Sequence, residues 1–302
     1  MRIALHNGDH RTAFPNLPLM KLSAWHKGRG DAVSWFMPLL SYDKVYSSKV
    51  FTYTLEDAYL PINAIRGGTG YDKDVTLPKS IEHIMPDYSL YPAFTASLGF
   101  TTRGCIRTCP WCIVPSKEGK IREHAEIAEF LRSDSRDVVL MDNNILAHEH
   151  GVRQIEWAIQ RKLRLDCNQG LDARLIAKDD ALAKLLARVA WIKSIRLACD
   201  TIGQMPYVEK AVKAIRRHSH HQGNFSCYVL VKDIPDALER VEFLRRLGVD
   251  PFAQPYRDFT TTKEPPKPGS SPRVWGTHVK ICSHVSHGRF IPTRVGNTPC
   301  GC

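Results

Sequence analysis

No apolar run in the chain approaches the roughly 18–20 residues that a membrane-spanning helix needs. The opening MRIALHNGDH also lacks the apolar core of a secretion signal. These two absences predict a cytoplasmic protein with no membrane partner. Residues 1–104 hold no cysteine, so no thiolate metal site or disulfide belongs to the first third of the chain. Beyond Glu264 there is neither Asp nor Glu. Nothing else is scarce. Charged residues at 24% and hydrophobic residues at 43% are ordinary for a globular protein, and 302 residues suffice for one or two domains. What stands out is a formal charge of +11 and nine cysteines. The charge admits a nucleic-acid partner. In a reducing compartment the cysteines point to metal chemistry rather than disulfides.

Three regions separate. In residues 1–95, Arg2–Leu5 reads as a buried strand and Leu17, Met20, Leu22 and Trp25 as a helix. Lys27-Gly28-Arg29-Gly30 ends that helix, and Ala32–Phe36 reads as the next strand. This is the start of a small Rossmann-like α/β domain. Gly67-Gly68-Thr69-Gly70 is a turn, and Leu77 to Pro92 is an irregular connector. Residues 96–262 repeat a strand–helix unit, with strands expected at Leu98–Thr102, Val138–Met141, Leu163–Cys167, Ile195–Cys199, Phe225–Val231 and Pro251–Pro255. The stripes Leu182/Leu185/Leu186/Val189, Val208/Val212/Ile215 and Ala237/Val241/Leu244 have helical spacing. Six parallel units make an open sheet or a partial (β/α)6 TIM-like barrel, and either binds ligands at the C-terminal strand ends.

The third region, 263–302, opens on the breaker Lys263-Glu264-Pro265-Pro266-Lys267-Pro268 and then loses all periodicity. Gly269–Thr277 (GSSPRVWGT) and Arg289–Thr298 (RFIPTRVGNT) look unrelated as protein. One nucleotide string, CGGTTCATCCCCACGCGTGTGGGGAACAC, encodes both in two reading frames and contains an inverted repeat. It resembles the repeat of a CRISPR array, so the residues after Pro268 read as translated array rather than an evolved domain; the alternative is a genuine basic tail. Arg273, Lys280, Arg289 and Arg294 carry four of the eleven net charges, leaving +7 on the rest.

The stretch that carries chemistry is Cys105-Ile-Arg-Thr-Cys109-Pro-Trp111-Cys112, directly after the first strand of the repeating region. Three thiolates hold three irons of a [4Fe–4S] cluster and leave the fourth open. A closed zinc site needs a fourth ligand, for which His124 is the candidate.

This Cys-x3-Cys-x-Trp-Cys pattern resembles the signature of the radical SAM superfamily, and the six βα units are similar to that family's partial barrel. The resemblance implies a [4Fe–4S] cluster on Cys105, Cys109 and Cys112 and S-adenosylmethionine (SAM) bound at its open iron. It implies a one-electron donor such as flavodoxin or ferredoxin. Reductive cleavage of SAM would yield a 5′-deoxyadenosyl radical that abstracts hydrogen from a substrate the sequence does not identify. Trp111 is expected beside the cluster or SAM. Met141-Asp142-Asn143-Asn144 is similar to the Asp-Asp-Asn segments of members with cobalamin-binding-like N-termini, which places Asp142 or Asn143 on the SAM ammonium; a helix N-cap is the alternative. Arg174 suits a carboxylate of SAM or substrate, against a structural ion pair. Asp200 is a strand-end candidate, and Tyr228 stands between packing on adenine and packing in the core. The lower-axial histidine motif of cobalamin domains is missing from Leu5–Arg11, which counts against cobalamin while leaving histidine-free binding open. With no early cysteine, the methylthiotransferase subgroup is set aside, and the first domain is left as a substrate platform or cover.

Cys167, Cys199 and Cys227 fall on successive strands, as a second cluster or, more simply, as small buried hydrophobes. His218-Ser219-His220-His221 is a metal candidate or a solvated helix end. The competing reading of the whole chain is an iron–sulfur or zinc module that binds nucleic acid without SAM chemistry.

Overall fold

In a computed structural model, residues 1–9, 14–219 and 224–263 are described. The expected translated-repeat tail, His10, and His220 and His221 of the histidine run lie outside them.

The first region forms an all-parallel sheet of β1 (Arg2–Asn7), β2 (Ala32–Trp35), β3 (Lys44–Ser48) and β4 (Ile65–Gly67) in the order β2-β1-β3-β4. Helix α1 (Leu17–Lys27) crosses from β1 to β2. Its first turn is fixed by Asn16, whose side chain accepts from Leu19 N, and its last turn carries His26 and Lys27. Alternation along β1 sends Ile3 and Leu5 against Leu19 and Leu22 of α1, and Ala4 to the other face with Val45, Leu60 and Ala64. The connector holds only one turn of helix, α2 (Lys79–Glu82), and a short 3₁₀ turn at Tyr88–Leu90.

All six strands expected from the second region are present: β5 (Ser97–Gly99), β8 (Asp137–Leu140), β9 (Arg164–Cys167), β11 (Ile195–Ala198), β12 (Phe225–Val231) and β13 (Asp250–Pro255). They are parallel and follow chain order, but in two sheets, β5-β8-β9 and β11-β12-β13. A two-residue strand, β10 (Ala190–Trp191), occupies the free side of β9 at Arg164 and Leu165. Across the seam only Leu171 bridges to Leu197. Side chains do the rest. Arg196 reaches Asp166 at 2.7 Å and Asn168 at 3.0 Å, and the Tyr228 hydroxyl donates to the Asn168 carbonyl at 2.9 Å. No closed barrel forms among the described residues.

Between the strands lie α4 (Glu149–Gln160), α5 (Ala173–Ile176), α6 (Asp180–Leu186), α7 (Met205–His218) and α8 (Ile234–Arg246). Their apolar stripes, including Leu185, Val208, Val212, Ile215, Val241 and Leu244, bury against the strands in one core.

One expected strand is cut short. Leu98–Thr102 does not run through, because the carboxylate of Asp142 takes both backbone N–H groups and both hydroxyls of Thr101 and Thr102. Those N–H groups are thereby lost to the ladder. The chain turns out of the sheet after Gly99 into a new hairpin, β6 (Thr102–Arg103) with β7 (Arg122–Glu123). That hairpin closes the base of the loop holding all three motif cysteines, and the short helix α3 (Val114–Lys117) lies within it. Gly104, at φ +83, lets the loop's two ends touch: a Cβ there would strike the Lys120 carbonyl.

No helix of the described residues is long and apolar enough to cross a membrane.

Candidate active site

A cavity of about 780 Å³ lies where the three parallel sheets point their C-terminal strand ends. From the first sheet come the loops after β1 (Asn7, Asp9), β3 (Ser48, Val50, Phe51) and β4 (Gly68, Thr69). From the other two come the cysteine loop, Asn143 and Asn144 after β8, Asn168 to Arg174 after β9, and Asp200 after β11.

Cys105, Cys109 and Cys112 all line this cavity. Arg107 N lies 3.3 Å and Asn144 Nδ2 3.6 Å from Cys105 Sγ. The Arg174 guanidinium stands near Cys109 and the Val114 backbone near Cys112. Burial pushes the Cys109 and Cys112 thiols up, with those groups working against it. The loop makes a tight turn in which Cys112 N donates to the Cys109 carbonyl at 3.0 Å. Among the described residues no three His, Cys, Asp or Glu stand close enough to grip one metal ion. Thiolates that ligate three separate irons of a cluster do not meet on a single point, so this spacing is compatible with a cluster. It offers no gathered tetrahedral zinc site. His124, the candidate fourth zinc ligand, faces away: its Nε2 lies 3.1 Å from Glu82 Oε1, and its ring packs on His83.

Trp111 lines the cavity with its indole near Asp200. Burial raises the Asp200 carboxyl above the ordinary value, with the nearby Leu230 backbone and indole working against it. Asn143 faces the cavity and donates to Glu118 Oε2 at 3.0 Å. Asp142 is placed differently from the expectation. It is 4% exposed and its oxygens are committed to Thr101 and Thr102, so it neither faces the cavity nor caps a helix. Arg174 combines its two readings: it pairs with Asp172 at 2.8 Å while lining the cavity beside Cys109. Tyr228 also combines them, presenting its ring to the cavity and its hydroxyl to Asn168.

Asp172 joins more of the site than any residue singled out from sequence. It accepts Arg107 Nε at 2.8 Å, Arg174 Nε at 2.8 Å and Asn144 Nδ2 at 3.3 Å, and caps α5 through Arg174 N at 3.1 Å. Burial opposes its ionisation, yet the bonds from Arg174 and Arg107 outweigh burial and hold the carboxyl below its ordinary value. The available signal was Asp172-Ala-Arg174 at a strand-to-helix turn, an N-cap pattern. Glu118 was also missed; it accepts from Gly104 N at 3.1 Å and lies 3.4 Å from Arg103. Asn144 Oδ1 is buried with no protein partner, on the cavity wall. Cys167, Cys199 and Cys227 are buried in the strand core, and burial drives all three thiols far up. That is the setting of small hydrophobes.

A comparison with protein-family models finds no match to this chain, and neither does a comparison with curated proteins.

Proposed function

We propose that the chain is a radical SAM enzyme, with the six parallel strands as its open (β/α)6 barrel and the first sheet as a Rossmann-like cover. The observation that carries this reading is the placement of the Cys-x3-Cys-x2-Cys loop. It follows the first strand of the series and brings three cysteines to the cavity at the strand ends, with N–H donors on Cys105 and the Arg174 guanidinium near Cys109. Cys105, Cys109 and Cys112 are the residues that would hold a [4Fe–4S] cluster. When bound, the cluster supplies the electron that cleaves SAM to the radical that abstracts hydrogen from substrate.

The protein's own groups do the positioning. Arg174, fixed by Asp172, keeps positive charge beside Cys109. Donors on the sulfurs offset thiolate charge and bear on cluster potential. Asn143, Asn144 and Asn168 offer uncharged amides at the strand ends for the polar groups of SAM, and Trp111 would lie beside the cluster or SAM on the cavity wall. The cytoplasmic setting and a flavodoxin- or ferredoxin-type donor belong to the same proposal.

Anaerobic reconstitution tests it. The protein is expected to take up iron and sulfide, absorb broadly near about 400 nm, and release 5′-deoxyadenosine from SAM with a strong reductant. A Cys109→Ala variant that still cleaved SAM overturns the assignment.

A further inference from the structure

Four basic side chains line the cavity: Arg103, Arg107, Lys117 and Arg174. Three have a carboxylate partner: Arg103 lies 3.4 Å from Glu118, and Arg107 and Arg174 share the one carboxylate of Asp172, each at 2.8 Å. Lys117, among the described residues, has no carboxylate within ion-pairing distance. Its single hydrogen bond is to the Thr69 hydroxyl at 2.6 Å. An ammonium has three donors, so two are without a protein acceptor. Burial depresses its pKa, with neighbouring Glu118 opposing, as expected for a charge short of a counter-ion.

The position of this ammonium is set from two sides. Lys117 ends α3, just after the cysteine loop, while Thr69 sits on the glycine turn after β4. Gly68 there has φ +90, and a Cβ would stand 2.6 Å from the Lys49 carbonyl, so the turn is packed tightly and holds the hydroxyl in place. The other charge on this wall, Asp9, has its oxygens taken by Val50 N and the Thr54 hydroxyl. Apolar side chains also line the cavity, among them Phe14, Val50, Phe51 and Phe100. At about 780 Å³ the cavity is near the upper end of the roughly 300–1,000 Å³ typical of small-ligand sites, room for SAM and a small second molecule.

We infer that Lys117 and Thr69 form an anion subsite for the substrate: the enzyme acts on a small molecule with a carboxylate or phosphate group on an apolar, ring-sized body, and the first domain supplies the wall that recognises it. The inference rests on the radical SAM reading for the reaction, whereas recognition rests on Lys117 alone.

Titration calorimetry of the reconstituted full-length protein with phenyl phosphate, phenylacetate and inorganic phosphate tests it. One of the two ring-bearing probes is expected to bind, and which one separates phosphate from carboxylate; inorganic phosphate is expected to bind more weakly. Lys117→Met, which keeps the stem and removes the charge, is expected to weaken binding about tenfold or more, and Lys117→Arg to stay within about threefold. Thr69→Val, which frees the ammonium, gives a second reading with an expected loss of a few-fold. Folding of each variant is checked by circular dichroism. Equal affinity of wild type and Lys117→Met, or no binding of either ring-bearing probe, overturns the subsite. If Lys117→Met instead loses S-adenosylhomocysteine affinity while the wild type ignores the probes, the ammonium belongs to SAM and the inference fails. Anion binding without 5′-deoxyadenosine release refutes the radical reading and keeps the subsite; release without anion binding refutes the subsite alone.

Discussion

Replacing Asp172 with Asn removes one charge from the centre of the site and little else. The side chain is 7% exposed, and its two arginine partners are 30% and 27% exposed. Breaking a fully buried ion pair costs about 3–5 kcal/mol. Here both guanidinium groups reach solvent and are screened, and Asn keeps one oxygen to cap α5, so a loss of about 2 kcal/mol is expected. For a chain of this size that lowers the unfolding midpoint by about 3–4 °C. The sign of the pH dependence follows from the carboxyl's depressed pKa. Its contribution is fully present above the ordinary value of 3.8 and is lost as pH falls through the lower folded value. Urea unfolding of wild type and variant should therefore differ by a constant amount from neutral pH down to about pH 4–5 and converge below that. Arg174, released from Asp172, should also hold Cys109 less well, so reconstituted iron content should fall. A difference under about 0.5 kcal/mol at neutral pH, or one that does not narrow in acid, refutes the claim that Asp172 fixes the two arginines.

Asp142→Ala leaves four buried donors on Thr101 and Thr102 without an acceptor, and should cost about 3 kcal/mol or more in urea unfolding; a neutral effect would mean that the exit from β5 is fixed by something else. Cys227→Ala should cost about 1 kcal/mol and leave iron content unchanged; a drop in iron per chain would point to a second cluster on Cys167, Cys199 and Cys227. Gly170, at φ +85, should tolerate Ala only at about 1–2 kcal/mol, read as a lower unfolding midpoint. The encoding DNA should carry one repeat in two frames across Gly269–Thr298; a sequence without it refutes the translated-array reading.

Much of the scaffold was legible in the chain because local physics writes it there. Val208, Val212 and Ile215 recur at helical spacing, and α7 buries that stripe. The run Phe225–Val231 reads as a strand from its β-branched and aromatic residues, and β12 has those bounds, with Phe225, Cys227 and Val229 in the core and Tyr228 and Leu230 on the cavity. The cysteine loop was legible for the same reason: Cys105, Cys109 and Cys112 are close along the chain and so stay close wherever the loop is placed. The boundary of β5 was not, because it depends on Asp142, forty residues on, withdrawing the Thr101 and Thr102 amides from the ladder. Nor was the seam between β9 and β11, where Asp166 and Asn168 meet Arg196 beside the shared apolar core, because those polar contacts form only once the strands stand side by side.

By itself, then, the sequence determined the strand–helix periodicity and the three-cysteine loop, since both are short-range patterns of residue type. Only the tertiary structure decided which charges are spent and which are left over. Arg107 and Lys117 both lie on the stretch between β6 and β7. Folding brings the distant Asp172 to the first and only the hydroxyl of Thr69 to the second. A counter-charge is a matter of distance in space, and distance in space is what a sequence does not spell out.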